Sequence, residues 1–346
     1  MRRCAAPEGA ELMAISAGGR PSDLSGGMEV STAGDLAGAT HEAVLYSAPD
    51  ELAERLVPRL LSSLDAGAPA VAVLDAPTRA EVRRELGDAA AHVEFPEPAA
   101  VHRVPPFTVA ARWARLSRRV TTSTGRATVV GQHVEGLPGC TENHWARLDI
   151  ALNVAVVGLP ITVLCPYRVD DRELARVEAT HPRLETATGL VSSGTYRPPV
   201  EALIEYPPPP PPELGPPAAE LAFTADELAA LRHLVAEVAG REVTAPDRVA
   251  DLVLAVNEIG SNSIEHGSGD GLLKLWVTDE SVVAEIADYG TADLPFPGMI
   301  APPVVGVRGR GLWLASELCD VLQVWSDGEG TVVRLRMDRD GFSIGP

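Results

Sequence analysis

Cysteine is scarce in this sequence. The four residues, Cys4, Cys140, Cys165 and Cys319, lie far apart and form no CxxC pair, which excludes a disulfide scaffold and a zinc ribbon. Long apolar runs are missing as well, and no stretch approaches the roughly 20 residues that span a bilayer. The amino-terminal "MRRCAAPEGAELMAISAGG" carries arginines without a continuous hydrophobic core, so no signal peptide is expected. Positive charge is also short. Lys and Arg number 29 against 48 Asp and Glu, a net charge of −19 spread along the chain. Such a surface repels phosphate backbones, which disfavours direct nucleic-acid binding and points to a protein or small-molecule partner. The expectation is a cytoplasmic protein without a membrane span.

With 346 residues there is enough chain for two domains, each burying its own core. The clearest boundary is "EYPPPPPPELGPP", Glu205 to Pro217. Its prolines Pro207–Pro212 form an extended polyproline rod that can join neither sheet nor helix and reads as a semi-rigid spacer. Residues 1–39, rich in Gly, Ala and Ser, read as a disordered leader. Over residues 40–200, the strand-like runs "AVLY", "AVAVL", "HVEF", "ATVVGQ" and "ITVLCPY" alternate with helical runs such as "DELAERLVPRLLSSLDAG" and "TENHWARLDIALNVAVVG". That alternation predicts an α/β domain with a mainly parallel sheet. After the spacer (201–219), residues 220–338 predict a strand, two helices, a hairpin, a helix and a second hairpin. This is an α+β sandwich, followed by a short tail, 339–346.

"LAVNEIGSNSIEHG" lies on the second of those helices. Leu252, Val256 and Ile259 form its apolar stripe, while Glu258, Asn262 and His266 follow one another at one-turn spacing beside it. An asparagine carbonyl suits Mg²⁺ shared with phosphates, and a glutamate one turn away can take a proton from an attacking hydroxyl. A solvated helix edge explains the same row equally well. Two further stretches favour the nucleotide reading. "IADYG" ends a strand with Asp288 ahead of Gly290, where a flat base can approach. "GVRGRGLWLA" opens a helix with Gly309 and Gly311, whose bare amides can meet phosphate oxygens.

In this order and spacing, residues 220–337 resemble the GHKL ATPase/kinase superfamily, in the branch of anti-sigma-factor serine kinases. The resemblance implies a GHKL-type sandwich with Glu258 as catalytic base and Asn262 as Mg²⁺ ligand. It makes Asp288 the carboxylate that recognises the adenine amine, with Gly290 beside it. Gly309, Arg310 and Gly311 would form the phosphate-side loop, Thr331 would support the adenine contact, and His266 and Leu312 would be further cofactor-binding residues. Two departures stand out. Ala292 occupies the second glycine of the expected Asp-x-Gly-x-Gly, and the lid "TADLPFPGMIAPPVVGV" carries Pro295, Pro297, Pro302 and Pro303, so a stiffer lid is expected. No His-Glu-x-x-Thr-Pro box precedes the domain, and His233 reads as a helix-surface residue, which disfavours a two-component histidine kinase.

Residues 41–200 resemble the MEDS sensory domain, on "HEAVLY", "VVGQ", "ENHWARLDIALN", "LCPY" and "THP" in that order. The resemblance implies a RecA-like fold. The loop "SAPDE" after the first strand lacks GxxxxGK[ST], so this half is not expected to hydrolyse nucleotide. His41, Glu142, Trp145, Cys165 and His181 are the candidates for contacting an unknown small-molecule ligand. Four of them have a plainer reading: Cys165 as a small core residue, His181 before Pro182 as a turn cap, Glu142 and Trp145 as helix packing. The dispersed spacing of His41, Cys165 and His181 gives no support for a metal site.

The two resemblances together imply a sensor-controlled serine kinase of Mg·ATP. It would sequester a sigma factor and phosphorylate a STAS-domain anti-anti-sigma partner, and it would form homodimers. The alternative is a non-catalytic adaptor that binds nucleotide and switches partners without transferring phosphate.

Overall fold

The computed structural model describes residues 38–118, 125–169, 171–243, 245–302 and 310–340. The leader up to residue 37, part of the lid (303–309) and the end of the tail (341–346) lie outside the described residues.

The amino-terminal half runs β1 (Thr40–Tyr46), α1 (Pro49–Asp65), β2 (Ala70–Val73), α2 (Ala76–Leu86), α3 (Pro98–His102), α4 (Pro106–Arg118), β3 (Ala127–Gly131), α5 (Glu142–Ala155), β4 (Ile161–Arg168), α6 (Asp171–Thr180), β5 (Arg183–Thr186), β6 (Gly189–Ser192) and α7 (Pro199–Leu203). The strands assemble in the order β2-β3-β4-β1-β5-β6. Every pairing is parallel except the terminal β5–β6 hairpin. The parallel strands are buried on both faces, as helix-covered parallel sheets require: β2 is buried throughout and β4 nearly so. The expected strand "HVEF" does not form. A 3-10 turn, Gly87–His92, leads into one parallel bridge between Val71 and Glu94. Pro96 and Pro98 follow at once, and prolines cannot donate to a ladder.

The carboxyl-terminal half runs β7 (Ala219–Phe223), α8 (Leu228–Glu242), α9 (Pro246–Glu265), β8 (Gly271–Val277), β9 (Ser281–Asp288), α10 (Gly311–Leu318), β10 (Val321–Ser326) and β11 (Thr331–Asp338). Its sheet, β10-β11-β9-β8-β7, is antiparallel throughout. The helices cover one face, where Leu231, Leu252, Val256 and Ile259 pack on Leu273, Ile286 and Leu335. Pro246 sits in the first turn of α9, where its missing N–H has no partner to lose.

The proline segment forms neither helix nor strand and is strapped to both halves of the chain. On one side, Arg147 of α5 donates to the Tyr206 carbonyl (2.6 Å) and Asn143 to that of Pro207 (2.9 Å). On the other, Trp325 Nε1 donates to Pro209 (2.7 Å), Arg334 to Pro212 (3.0 Å) and Trp276 Nε1 to Gly215 (3.0 Å). These donors stand on the sheet face opposite the helices, where Arg334 also pairs with Glu285 at 2.5 Å.

The two halves meet at α4. Arg112 donates to the Asp320 carbonyl and Arg115 to that of Glu317, while Arg118 pairs with the Glu317 carboxylate at 2.7 Å. Phe107 stacks on Phe296 with ring centroids 5.8 Å apart. Phe296 and Met299, from the lid segment, are buried in the hydrophobic core of the amino-terminal half. Among the described residues, no helix is long and apolar enough to cross a membrane.

Candidate functional site

Helix α9, strand β9, the segment after it and the start of α10 enclose a cavity of about 350 Å³. Asn262, Ser263, His266 and Gly267 line it from α9, Asp288 and Gly290 from the end of β9, and Thr331 from β11. Ala292, Asp293 and Leu294 of the lid, with Gly311 and Leu312 of α10, complete the wall. The residues singled out in the sequence thus converge, with three exceptions, Glu258, Gly309 and Arg310. Glu258 is half-buried one turn before Asn262 and stands outside the lining, and Gly309 lies outside the described residues. Arg310 is an exposed residue at the amino-terminal cap of α10.

Asp288 is held from two directions. Its Oδ2 accepts from Ser263 Oγ at 2.6 Å and its Oδ1 from the Gly290 amide at 2.7 Å. Each oxygen keeps a lone pair for a further donor. Thr331 Oγ1 donates to the Gly290 carbonyl at 2.7 Å, and Ser326 Oγ lies 2.9 Å from the same hydroxyl. Ser326 also accepts from the Ala292 amide at 2.9 Å, so the position where a glycine was expected is tied to the β10–β11 hairpin. Ser263 and Ser326 carry the carboxylate and the lid without having been read from the sequence. Ser263, at four residues from Ile259 on the buried side of α9, was the visible signal.

Glycine is needed where backbones touch. A Cβ at Gly267 would come within 2.7 Å of Asp288 Oδ1. One at Gly290 would lie 2.9 Å from the same oxygen and overlap the Cα of Gly267. Gly311 permits α10 to start directly against Asn262, whose Nδ2 would be 2.8 Å from an added Cβ.

A second constellation lies in the amino-terminal half. His41 on β1, Cys165 on β4, Asp149 on α5 and His181 just past α6 are all buried, and one ligand atom from each falls within 4.8 Å of the others. Parallel pairing of β1 with β4 aligns Ala43 with Cys165 and sets His41 two residues from it on the neighbouring strand. Three of the five sequence candidates for a sensory ligand therefore meet, contrary to what their spacing conveyed, and Asp149 joins them unannounced. Trp145 is buried one turn before Asp149 on α5 and is ringed by His102, His133 and His144 at 4.7–5.4 Å between centroids. Glu142 is exposed in the first turn of α5, away from this group. Burial dominates the electrostatics here. It pushes His41, with help from nearby His181, and also His181 itself, down to about 3, and it raises Asp149 and Cys165 above their ordinary values.

Residues 221–337 match the family model of the histidine kinase-like ATPase domain. Residues 40–182 match that of the MEDS domain, the methanogen/methylotroph DcmR sensory domain. Among solved structures, the RsbU and RsbW domains of a Mycobacterium tuberculosis protein are 20% identical over 35% of this chain and 32% of that one, with a TM-score of 0.27. That match spans about a third of the neighbour's chain. No curated protein matches the chain.

Proposed function

We propose that the chain is a partner-switch regulator in which the amino-terminal sensory domain controls a GHKL-type, ATP-binding serine kinase domain. The observation that carries this reading is the cavity itself. A fixed carboxylate, Asp288, faces a space of about 350 Å³ whose opposite wall is Asn262 and the glycine start of a helix. That donor set suits a purine with a metal-bound polyphosphate: an acceptor for an exocyclic amine, a neutral amide oxygen for Mg²⁺ and helix amides for phosphate oxygens.

In this reading Asp288 and Thr331 orient the base, Asn262 holds the Mg²⁺, and His266, Gly290, Gly311 and Leu312 shape the rest of the pocket. Bound Mg·ATP supplies a transferable phosphoryl group. Glu258 takes the hydroxyl proton of the attacking serine on a STAS-domain partner, and a sigma factor is the protein sequestered. Gly309 and Arg310 belong to the phosphate-side loop, and residues 201–219 join the two domains. Sensory control is supported by the lid: Phe296 and Met299 are packed into the other half of the chain, so an event there acts directly on one wall of the nucleotide pocket.

Ala292, tied to Ser326, favours a second reading, an adaptor that binds nucleotide but transfers no phosphate. Radiolabelled ATP and a purified STAS partner separate the two. The kinase requires transfer by the wild type and a fall of roughly 10²–10⁴-fold in Glu258→Gln, the usual share of general acid–base catalysis. A wild type that binds the partner and transfers nothing establishes the adaptor.

A further inference from the structure

We propose that His41, Asp149, Cys165 and His181 bind one Zn²⁺ ion in the core of the amino-terminal domain. The tautomers can be derived from the surrounding bonds. Asn153 Nδ2 donates to the carbonyls of Asp149 (3.1 Å) and Thr180 (2.7 Å), which turns its Oδ1 toward His41 Nδ1 at 2.8 Å. His41 Nδ1 is therefore the protonated nitrogen, and its Nε2 lone pair faces Cys165 Sγ at 3.4 Å. His181 Nδ1 lies 3.0 Å from the Val177 carbonyl, which can only accept. Its Nε2 is then also a bare lone pair, fully buried and without a hydrogen-bond partner.

What His181 Nε2 faces is Asp149 Oδ1, 3.7 Å away. The other oxygen, Oδ2, already accepts from Tyr167 (2.6 Å) and Arg176 (3.0 Å). An acceptor thus points at an acceptor across a gap too long for a hydrogen bond, in a site closed to water. Leaving such groups unpaired is unfavourable; a cation between them resolves the conflict. Metal-bound histidines characteristically donate their second nitrogen to a carbonyl in this way.

The dimensions and chemistry select the metal. With bonds of about 2.0 Å to N or O and 2.3 Å to S, the edges of a tetrahedron are about 3.3–3.5 Å. Two of the separations, 3.4 Å and 3.7 Å, are close to that, and all four ligand atoms lie within 4.8 Å of one another, so binding draws the wider pairs in. A thiolate with two imidazoles excludes Mg²⁺ and Ca²⁺ in favour of Zn²⁺. Two neutral imidazoles, one thiolate and one carboxylate cancel the charge of a divalent ion, which suits a dry core. Four protein ligands leave no open position, so the site is structural. It clamps α5 to β1, β4 and the end of α6. Helix α5 in turn packs against α4, the helix that reaches the lid.

The test uses the full chain, expressed with zinc supplied. Elemental analysis should find one zinc per chain, and exchange for Co²⁺ should give the visible bands of a tetrahedral ion with one thiolate-to-metal charge-transfer band. Cys165→Ser should abolish that band, while Cys140→Ser and Cys319→Ser keep it. His181→Ala should reduce the zinc content; if it fails to fold, the wild-type cobalt spectrum and the Cys140→Ser and Cys319→Ser variants still decide. A folded wild type without zinc and without cobalt bands overturns the proposal. So does a thiolate band that survives Cys165→Ser.

Discussion

Phe107→Ala is a change in the amino-terminal half that should be read out in the lid over the Asp288 pocket of the other half. In the structure Phe296 is 8% exposed, and its ring stacks on that of Phe107 at 5.8 Å. The guanidinium of Arg147 lies over the Phe107 ring, 4.6 Å from its centroid. Removing the Phe107 ring forfeits an aromatic pair worth about 0.5–1.5 kcal/mol. It also uncovers one face of Phe296, about 40 Å² at 25 cal/mol per Å², or about 1 kcal/mol. The lid should therefore open about 2 kcal/mol more easily, which is roughly thirtyfold in equilibrium constant. Two amides report it: Ala292, which donates to Ser326 Oγ, and Met299, which donates to the Phe296 carbonyl. Hydrogen exchange measured by mass spectrometry on peptides covering 291–302 should accelerate by that factor, while peptides from the buried strand β9 should not change. If lid exchange is unaltered and the variant is otherwise folded, the lid is not held by the sensory half, and the coupling argued from Phe296 fails.

Asn262→Ala should abolish Mg²⁺-dependent ATP binding by calorimetry on the full chain while leaving its melting temperature in place, because the apolar stripe of α9 is untouched. ATP should bind at least about tenfold tighter than GTP, since Asp288 would meet a carbonyl there and an unpaired acceptor costs about 1–3 kcal/mol; competition titration measures it. Gly290→Ala, whose Cβ would overlap Gly267, should lose nucleotide binding, whereas Ala292→Gly should keep it. His102 is fully buried, both ring nitrogens lack partners, and burial, helped by the neighbouring His144 and His133, pushes its pKa down to about 3. The unfolded chain takes up this proton below about pH 6.5 and the folded chain does not. Stability should therefore fall with pH from about 6.5 toward 3, by up to about 1.4 kcal/mol per unit for this residue. Urea midpoints for His102→Phe should show a shallower slope across that window than the wild type.

The carboxyl-terminal half was legible almost element by element. Its helices carry period-3.6 stripes, as Leu252, Val256 and Ile259 do on α9, and its strands are joined by short turns such as "TDES". Those are local signals, and local signals survive in a single sequence. The pocket was legible for the same reason, since Asn262, Asp288 and Gly311 each sit at a recognisable helix or strand end. The sensory cluster was not. Positions 41, 149, 165 and 181 acquire their proximity only when β1 is laid beside β4 and α5 crosses them. The one local hint was a lone carboxylate in the apolar run "WARLDIALNVAVV", with Asn153 one turn after it. Helix α4 was also passed over. Its arginines, Arg112, Arg115 and Arg118, face the other domain, and nothing in the sequence of one domain announces the surface of another.

The proline strap bears on how freely these two domains can be recombined. Proline has no amide hydrogen, so the run Pro207–Pro212 can only accept. The hydrogen bonds that fasten it are donated by the modules on either side, Asn143 from one and Trp325 and Arg334 from the other, while Arg147 and Trp276 hold the flanking carbonyls of Tyr206 and Gly215. A tether of this kind is not interchangeable with a glycine-serine linker of equal length. A chimaera that grafts the amino-terminal half onto a different carboxyl-terminal domain inherits the strap but not all of its anchors, and one that begins the carboxyl-terminal domain after residue 212 takes from Trp325 and Arg334 the strap carbonyls they donate to. Portability here is a property of five side chains on two domains, and the linker by itself does not carry it.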